Sequence, residues 1–191
     1  MAIEEIKKRA IENNVPIIQD DSIEYLNNYI KDHNVKKILE LGTATGYSAI
    51  MMATNNDVKV TSIERDESRY LEAVKNVKEC NLENKITLIF KDALEVDLDD
   101  KFDLIFIDAA KGQNIKFFTK YESNLKEKGT IITDNMLFHG YVNMNEEDIT
   151  SKNIRGIVRK IKNYMEFLDI REDFTTEILN IGDGLAISKR R

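Results

Sequence analysis

The stretch FDLIFIDAAKGQ (residues 102–113) sets Phe102 and the unbroken apolar run Leu104, Ile105, Phe106 and Ile107 directly before Asp108. Lys111 follows three positions later, then Gly112. An apolar run of this kind is the signature of a strand buried on both faces, so the aspartate marks the strand's C-terminal end. The pattern recurs in GTIITDN (129–135), where a second apolar run closes on Asp134 and Asn135. Upstream, KKILELG (36–42), VKVTSIE (58–64) and KITLIFKD (85–92) read as three more strands, and helical segments lie between them. Such alternation predicts a mostly parallel sheet with helices on both faces. Right-handed crossovers then bring the strands' C-terminal ends to one edge, where α/β proteins bind ligands. Glu64, Asp108 and Asp134 are therefore expected in one crevice.

The flanks complete the fold class. TTEILNI (175–181) and GLAISKR (184–190), joined around Gly182, Asp183 and Gly184, predict a C-terminal antiparallel hairpin. Residues 3–13 and 22–32 have amphipathic helical spacing, with Ser22 as a cap for the second after Asp20 and Asp21. No repeat or linker divides the chain, so residues 1–191 are expected to form one domain, with 1–34 as a helical lid or dimer segment.

Composition narrows the function classes. Of 191 residues, 42% are hydrophobic and 32% charged, which fits a globular chain rather than a disordered one. No apolar run approaches the ~20 residues of a membrane helix, and Cys80 is the only cysteine, which leaves no disulfide and no cysteine cluster for zinc. A cytoplasmic protein with no membrane partner is expected. The formal charge of −6 argues against nonspecific coating of nucleic acid. One segment is locally basic: SKNIRGIVRKIKN (151–163) carries Lys152, Arg155, Arg159, Lys160 and Lys162 without an acid, and the chain ends in Lys189, Arg190 and Arg191. Such a run is either a solvated helix face or a grip for phosphates.

Half of the crevice suits a nucleoside. In LELGTATGYSA (39–49), Gly42 and Gly46 let the backbone approach a ligand at a helix N-terminus. The spacing is not the G-x-G-x-x-G of dinucleotide binding, and Glu40 would repel a pyrophosphate but suit a cationic amino group. Glu64, 22 residues beyond Gly42, is placed for ribose hydroxyls, and Asp92 at the third strand's end for a base. An ammonium, a ribose and a purine together describe S-adenosylmethionine. The other half suits a hard cation. Asp108, Asp134 and Asn135 are oxygen donors fit for Mg²⁺, Mn²⁺ or Ca²⁺, and no histidine or cysteine joins them. Lys111 is spaced to take a proton from a chelated hydroxyl or to hold the oxyanion.

The segments LELGTATGYSA, IER, IFIDAAKGQ, IITDN and GDGLAISK together resemble the metal-dependent class I O-methyltransferases, the group of catechol and caffeoyl-CoA O-methyltransferases. Within it they are most similar to bacterial tRNA 5-hydroxyuridine methyltransferases. The resemblance runs from about Val15 to Lys189. It implies a Rossmann-like seven-stranded sheet with an antiparallel last hairpin, and a homodimer. It also implies Asp108, Asp134 and Asn135 on Mg²⁺, Lys111 as catalytic base, Glu40, Gly42, Ser48 and Glu64 at S-adenosylmethionine, Asp92 and Ala93 at the adenine, and Asp108 touching both cofactor and metal. His139 departs from the pattern, standing where the resemblance leads one to expect a lysine.

The implied reaction is Mg²⁺-dependent methyl transfer to the 5-hydroxyl of 5-hydroxyuridine at the tRNA wobble position, giving 5-methoxyuridine. The tRNA anticodon loop would be held by Arg155, Arg159 and Lys160. The alternative is O-methylation of small catechol-like or phenolic compounds, which present the same two adjacent oxygens.

Overall fold

The computed structural model describes residues 2–191. Two helices, α1 (Ala2–Glu12) and α2 (Asp20–Asp32), precede an alternating series. It runs β1 (Lys37–Leu41), α3 (Tyr47–Asn55), β2 (Lys59–Glu64), α4 (Glu67–Glu79), β3 (Ile86–Phe90), β4 (Phe102–Ile107), α5 (Asn114–Tyr121), β5 (Leu125–Asp134) and α6 (Lys152–Asp169), and closes with β6 (Phe174–Leu179) and β7 (Leu185–Arg190). The seven strands form one sheet in the order β3-β2-β1-β4-β5-β7-β6. All pairs from β3 to β5 are parallel, and β7 runs antiparallel to both β5 and β6. This is the Rossmann-like arrangement expected, with the antiparallel hairpin at its end. The strand order reverses between β1 and β4, the position at which such sheets open a crevice.

Two-residue alternation divides the core between the two sheet faces. Ile38, Leu104, Phe106 and Ile132 pack with α1, α2 and α3 on one side. Leu39, Ile105, Ile107 and Ile131 pack with α5 and α6 on the other. Both sides are dry: Ile38, Leu39 and every residue from Leu104 to Ile107 are fully buried. Each such side chain contributes about 1.5–3 kcal/mol by leaving water.

The N-terminal segment is part of this core rather than a loose arm. Ile6 and Ala10 of α1 are fully buried, and Arg9 donates to Asn76 and pairs with Glu79 on α4. Ser22 does not cap α2. The helix begins two residues earlier, with Gln19 at the cap position, and Asp20 and Asp21 in the first turn complement the helix dipole. Ser22 is buried inside it. Strand β5 starts at Leu125, four residues before the expected Gly129, and its register against β4 shifts between Phe102 and Leu104. Among the described residues no helix is long and apolar enough to cross a membrane.

Candidate active site

A cavity of about 440 Å³ opens at the strands' C-terminal edge. Its wall includes Gly42, Ala44, Glu64, Asp92 and Ala93 on one side and Asp108, Lys111, Asn135, Phe138 and His139 on the other. Seven of the residues anticipated from sequence thus line one space. Three do not: Glu40, Ser48 and Asp134 stand behind the wall.

The turn after β1 is built for close approach. Gly42 has φ +99°, and a Cβ there would lie 2.2 Å from the Asp108 carbonyl oxygen, so only glycine fits against β4. Asn76 of α4 donates to the Thr45 carbonyl at 2.9 Å and holds the far side of the turn. Glu64, from the end of β2, braces its middle. One carboxylate oxygen accepts from the Ala44 N–H at 2.8 Å, and the other from the N–H groups of Arg65 and Asp66 at 2.9 and 2.8 Å. Asp92 accepts from the Leu94 N–H at 2.9 Å and pairs with Arg65 at 3.3 Å.

Glu40, expected at the ligand, does not line the cavity. It is fully buried, and its two oxygens accept from the Ser48 and Ser62 hydroxyls, each at 2.5 Å. Burial pushes its carboxyl up to about 7, against the pull of the two hydroxyls. Its place is beneath the glycine turn, on the same sheet face as Ile38, where it ties β1, β2 and α3 together. Ser48 is spent on this bond and lies off the wall with it.

At the ends of β4 and β5 the charges are less well matched. Lys111 Nζ lies 3.1 Å from Asp108 Oδ1 and 3.1 Å from the Asp134 backbone carbonyl, so the expected lysine bridges both strand ends. Asp134 is only 5% exposed. Burial and the neighbouring Asp108 charge push its carboxyl up to about 7, although Lys111 and the Asn135 N–H, 2.7 Å away, act the other way. Asn135 has φ +69°, and its buried side-chain oxygen has no hydrogen-bond partner. An orphaned amide oxygen beside two carboxylates is a set of hard oxygen donors whose chemistry fits a divalent cation. Among the described residues no trio of His, Cys, Asp or Glu is grouped for a metal; the set here is two carboxylates and an amide.

Pro16, Arg65, Arg69, Lys91 and Phe117 also line the cavity, and no motif assigns them a role. IER placed Arg65 beside Glu64, a signal of proximity but not of use. The basic segment is answered by its own surroundings. Arg159 pairs with Glu146. Lys160 lies over the 111–113 turn, 3.0 Å from where a Gly112 Cβ would stand, and Arg155 shares an open basin with Glu146 and Glu147. In the C-terminal tail Arg190 donates to the Glu122 carbonyl and Arg191 to Thr175.

Known proteins share this fold. A crystal structure from Staphylococcus aureus, provisionally named a caffeoyl-CoA O-methyltransferase, superposes with a TM-score of 0.94 at 41% identity, covering 100% of this chain and 93% of its own. An O-methyltransferase from Bacillus cereus in complex with SAH (S-adenosylhomocysteine) has a TM-score of 0.84 at 25% identity, over 100% of this chain and 90% of its own. The caffeoyl-CoA O-methyltransferase of Populus kitakamiensis is 28% identical over 181 residues, or 89% of this chain and 76% of the relative. The model of the O-methyltransferase family matches residues 1–191. The chain belongs to the O-methyltransferase family and is an S-adenosylmethionine-dependent O-methyltransferase.

Proposed function

We propose that this enzyme methylates one oxygen of a small acceptor with two adjacent oxygens, a catechol or related phenolic, with a divalent cation held by Asp108, Asp134 and Asn135. The observation that carries this is the convergence at the ends of β4 and β5: a lysine amine 3.1 Å from both Asp108 Oδ1 and the Asp134 carbonyl, beside an unpartnered Asn135 oxygen. When bound, the cation would lower the pKa of an acceptor hydroxyl. Lys111, aimed by Asp108 and the Asp134 carbonyl, receives that proton or holds the oxyanion at Nζ. Glu64, Asp92 and Ala93 would seat the nucleoside of the methyl donor across the cavity, and the Gly42 turn brings the donor close to β4. Rate enhancement then comes from alignment of acceptor oxygen and methyl group, and from a wall that excludes water.

This reverses the order of preference drawn from the motifs alone, which put tRNA first. Two findings support the change. The curated relatives include caffeoyl-CoA O-methyltransferases, and the α6 cations meant for phosphates are in part paired with acids or packed on the protein. The test offers purified protein, S-adenosylmethionine and Mg²⁺ either a simple catechol or tRNA bearing 5-hydroxyuridine, with and without EDTA, and reads product by mass spectrometry. EDTA-sensitive methylation of the catechol is expected. Methylation of the tRNA alone would replace this acceptor with the wobble uridine.

A further inference from the structure

The segment that follows Asp134 is held in an uncommon shape. Asn135, Phe138, His139 and Gly140 have φ of +69°, +45°, +55° and +81°, a region that residues with side chains rarely adopt. The segment closes its own turns, with the Gly140 N–H donating to the Leu137 carbonyl and the Tyr141 N–H to the Phe138 carbonyl, each at 3.0 Å, and the tip of the β6–β7 hairpin adds a restraint from outside. The Met136 N–H donates to the Gly184 carbonyl at 2.9 Å and the Leu137 N–H to the Asp183 carbonyl at 2.8 Å. The His139 N–H donates to Asp183 Oδ1 at 2.5 Å. The first two bonds go to backbone carbonyls and involve no side chain. The third requires a side-chain acceptor of aspartate's reach at position 183.

Asp183 is an expensive choice for that task. It is 5% exposed, and its second oxygen makes no hydrogen bond, standing 3.4 Å from His139 Nδ1. A buried carboxylate oxygen left bare is unfavourable. There is also little slack around it: a Cβ on Gly184 would lie 2.6 Å from Leu137 Cγ and 2.9 Å from Leu137 N. The hairpin tip therefore fixes the turn that presents Asn135 and Phe138 to the cavity. We propose that Asp183 is a positioning residue for the acceptor side of the site, acting through the backbone of residues 135–140 to set the Asn135 oxygen and the Phe138 wall. This rests on the cation and acceptor proposed above. Among the described residues, no hydrogen bond or ion pair joins Asp183 to Gly42, Glu64 or Asp92 on the nucleoside side.

The test measures Mn²⁺ affinity by calorimetry without acceptor, then catechol KM, and in parallel the Kd for S-adenosylhomocysteine. Outer partners of metal ligands typically change affinity about 10- to 100-fold. Asp183→Ala is expected to raise the Mn²⁺ Kd and the catechol KM about tenfold or more, with the S-adenosylhomocysteine Kd within about twofold. Asp183→Asn keeps a carbonyl oxygen for the His139 N–H and should recover both values to within about threefold. If Asp183→Ala does not fold, Asp183→Ser replaces it as the truncation. Unchanged Mn²⁺ Kd and KM in the truncated variant would overturn the inference. So would a parallel loss of S-adenosylhomocysteine binding, which marks general loosening, or a wild-type protein that binds no Mn²⁺. If the wild type binds Mn²⁺ but leaves catechol unmethylated, the acceptor assignment fails, and the Mn²⁺ ratio alone still decides the role of Asp183.

Discussion

The two sides of the cavity hold their carboxylates in opposite ways. On the β1–β2 side, Glu64 accepts three backbone N–H groups and Glu40 two hydroxyls. On the β4–β5 side, burial and the neighbouring Asp108 charge push Asp134 up to about 7, and one lysine serves both strand ends. The Asn135 oxygen there has no partner. On the first side, protein donors already occupy both carboxylates. The second side would be completed by the cation proposed above. Under the proposed function, preorganised carboxylates would hold the donor, and the unpartnered oxygen would lie where the proton and the methyl group move.

The largest expected effect falls on the unfinished side. Lys111→Ala should lower kcat about 100- to 10,000-fold, the range lost with a general acid–base group, while the S-adenosylhomocysteine Kd stays within about twofold of wild type. Stopped product assays and calorimetry check the two halves separately, and near-normal kcat would remove Lys111 from the chemistry. Asp134→Ala is expected to weaken Mn²⁺ by more than the roughly 10- to 100-fold typical of outer partners. EDTA should abolish turnover of the wild type. Mn²⁺ binding by this variant as tight as wild type would mean that the β4–β5 side is not a metal site.

The contrast between the sides was only half legible in the sequence. Strand ends were readable because parallel strands buried on both faces are continuous apolar runs, so Glu64, Asp108 and Asp134 announced themselves by where the runs stopped. The start of β5 was hidden because Lys126, Glu127 and Lys128 are exposed and polar there. Glu40 precedes Gly42 by two residues, and that spacing alone suggests a ligand contact. Its parity with Ile38 puts it on the α3 face, and only the fold shows Ser48 and Ser62 waiting there. Asp183 and His139 are 44 residues apart in sequence, and no local pattern ties a hairpin tip to the turn after Asp134. Strand periodicity reports which face a residue takes; it does not report which partner it meets.

Glu40 gives a test of the finished side through pH. Its folded pKa of about 7 lies above the ordinary 4.5, so the native state binds the proton more tightly than the unfolded chain. The stabilising contribution is fully present below about pH 4.5 and is lost as pH rises through 7. At ~1.4 kcal/mol per pKa unit the loss is about 3 kcal/mol. Glu40→Gln cannot ionise and should lack this loss. Urea unfolding at several pH values should therefore show the variant gaining on wild type between pH 4.5 and 7, by up to about 3 kcal/mol. A difference between the two proteins that is flat across this window would show that Glu40 titrates normally.

The smallest expected effect bears most directly on whether the two sides are independent. In Glu64→Gln the amide keeps one oxygen, which can serve the Arg65 and Asp66 N–H groups. Its NH₂ then faces the Ala44 N–H, donor against donor, where the carboxylate accepted at 2.8 Å. Ala44 has φ +46°, so the turn depends on that bond to hold a conformation an alanine does not prefer. Losing a hydrogen bond to a charged group costs about 1.5–3 kcal/mol, and any ribose hydroxyl would lose its ionised acceptor as well. The S-adenosylhomocysteine Kd should rise about tenfold or more, with the Mn²⁺ Kd unchanged, as calorimetry can measure for both ligands on one preparation. The shared element is Gly42, whose backbone abuts the Asp108 carbonyl. If Mn²⁺ binding weakens together with S-adenosylhomocysteine, strain in the Ala44 turn reaches Asp108 through that contact, and the cavity is one coupled unit rather than a finished half beside an unfinished one.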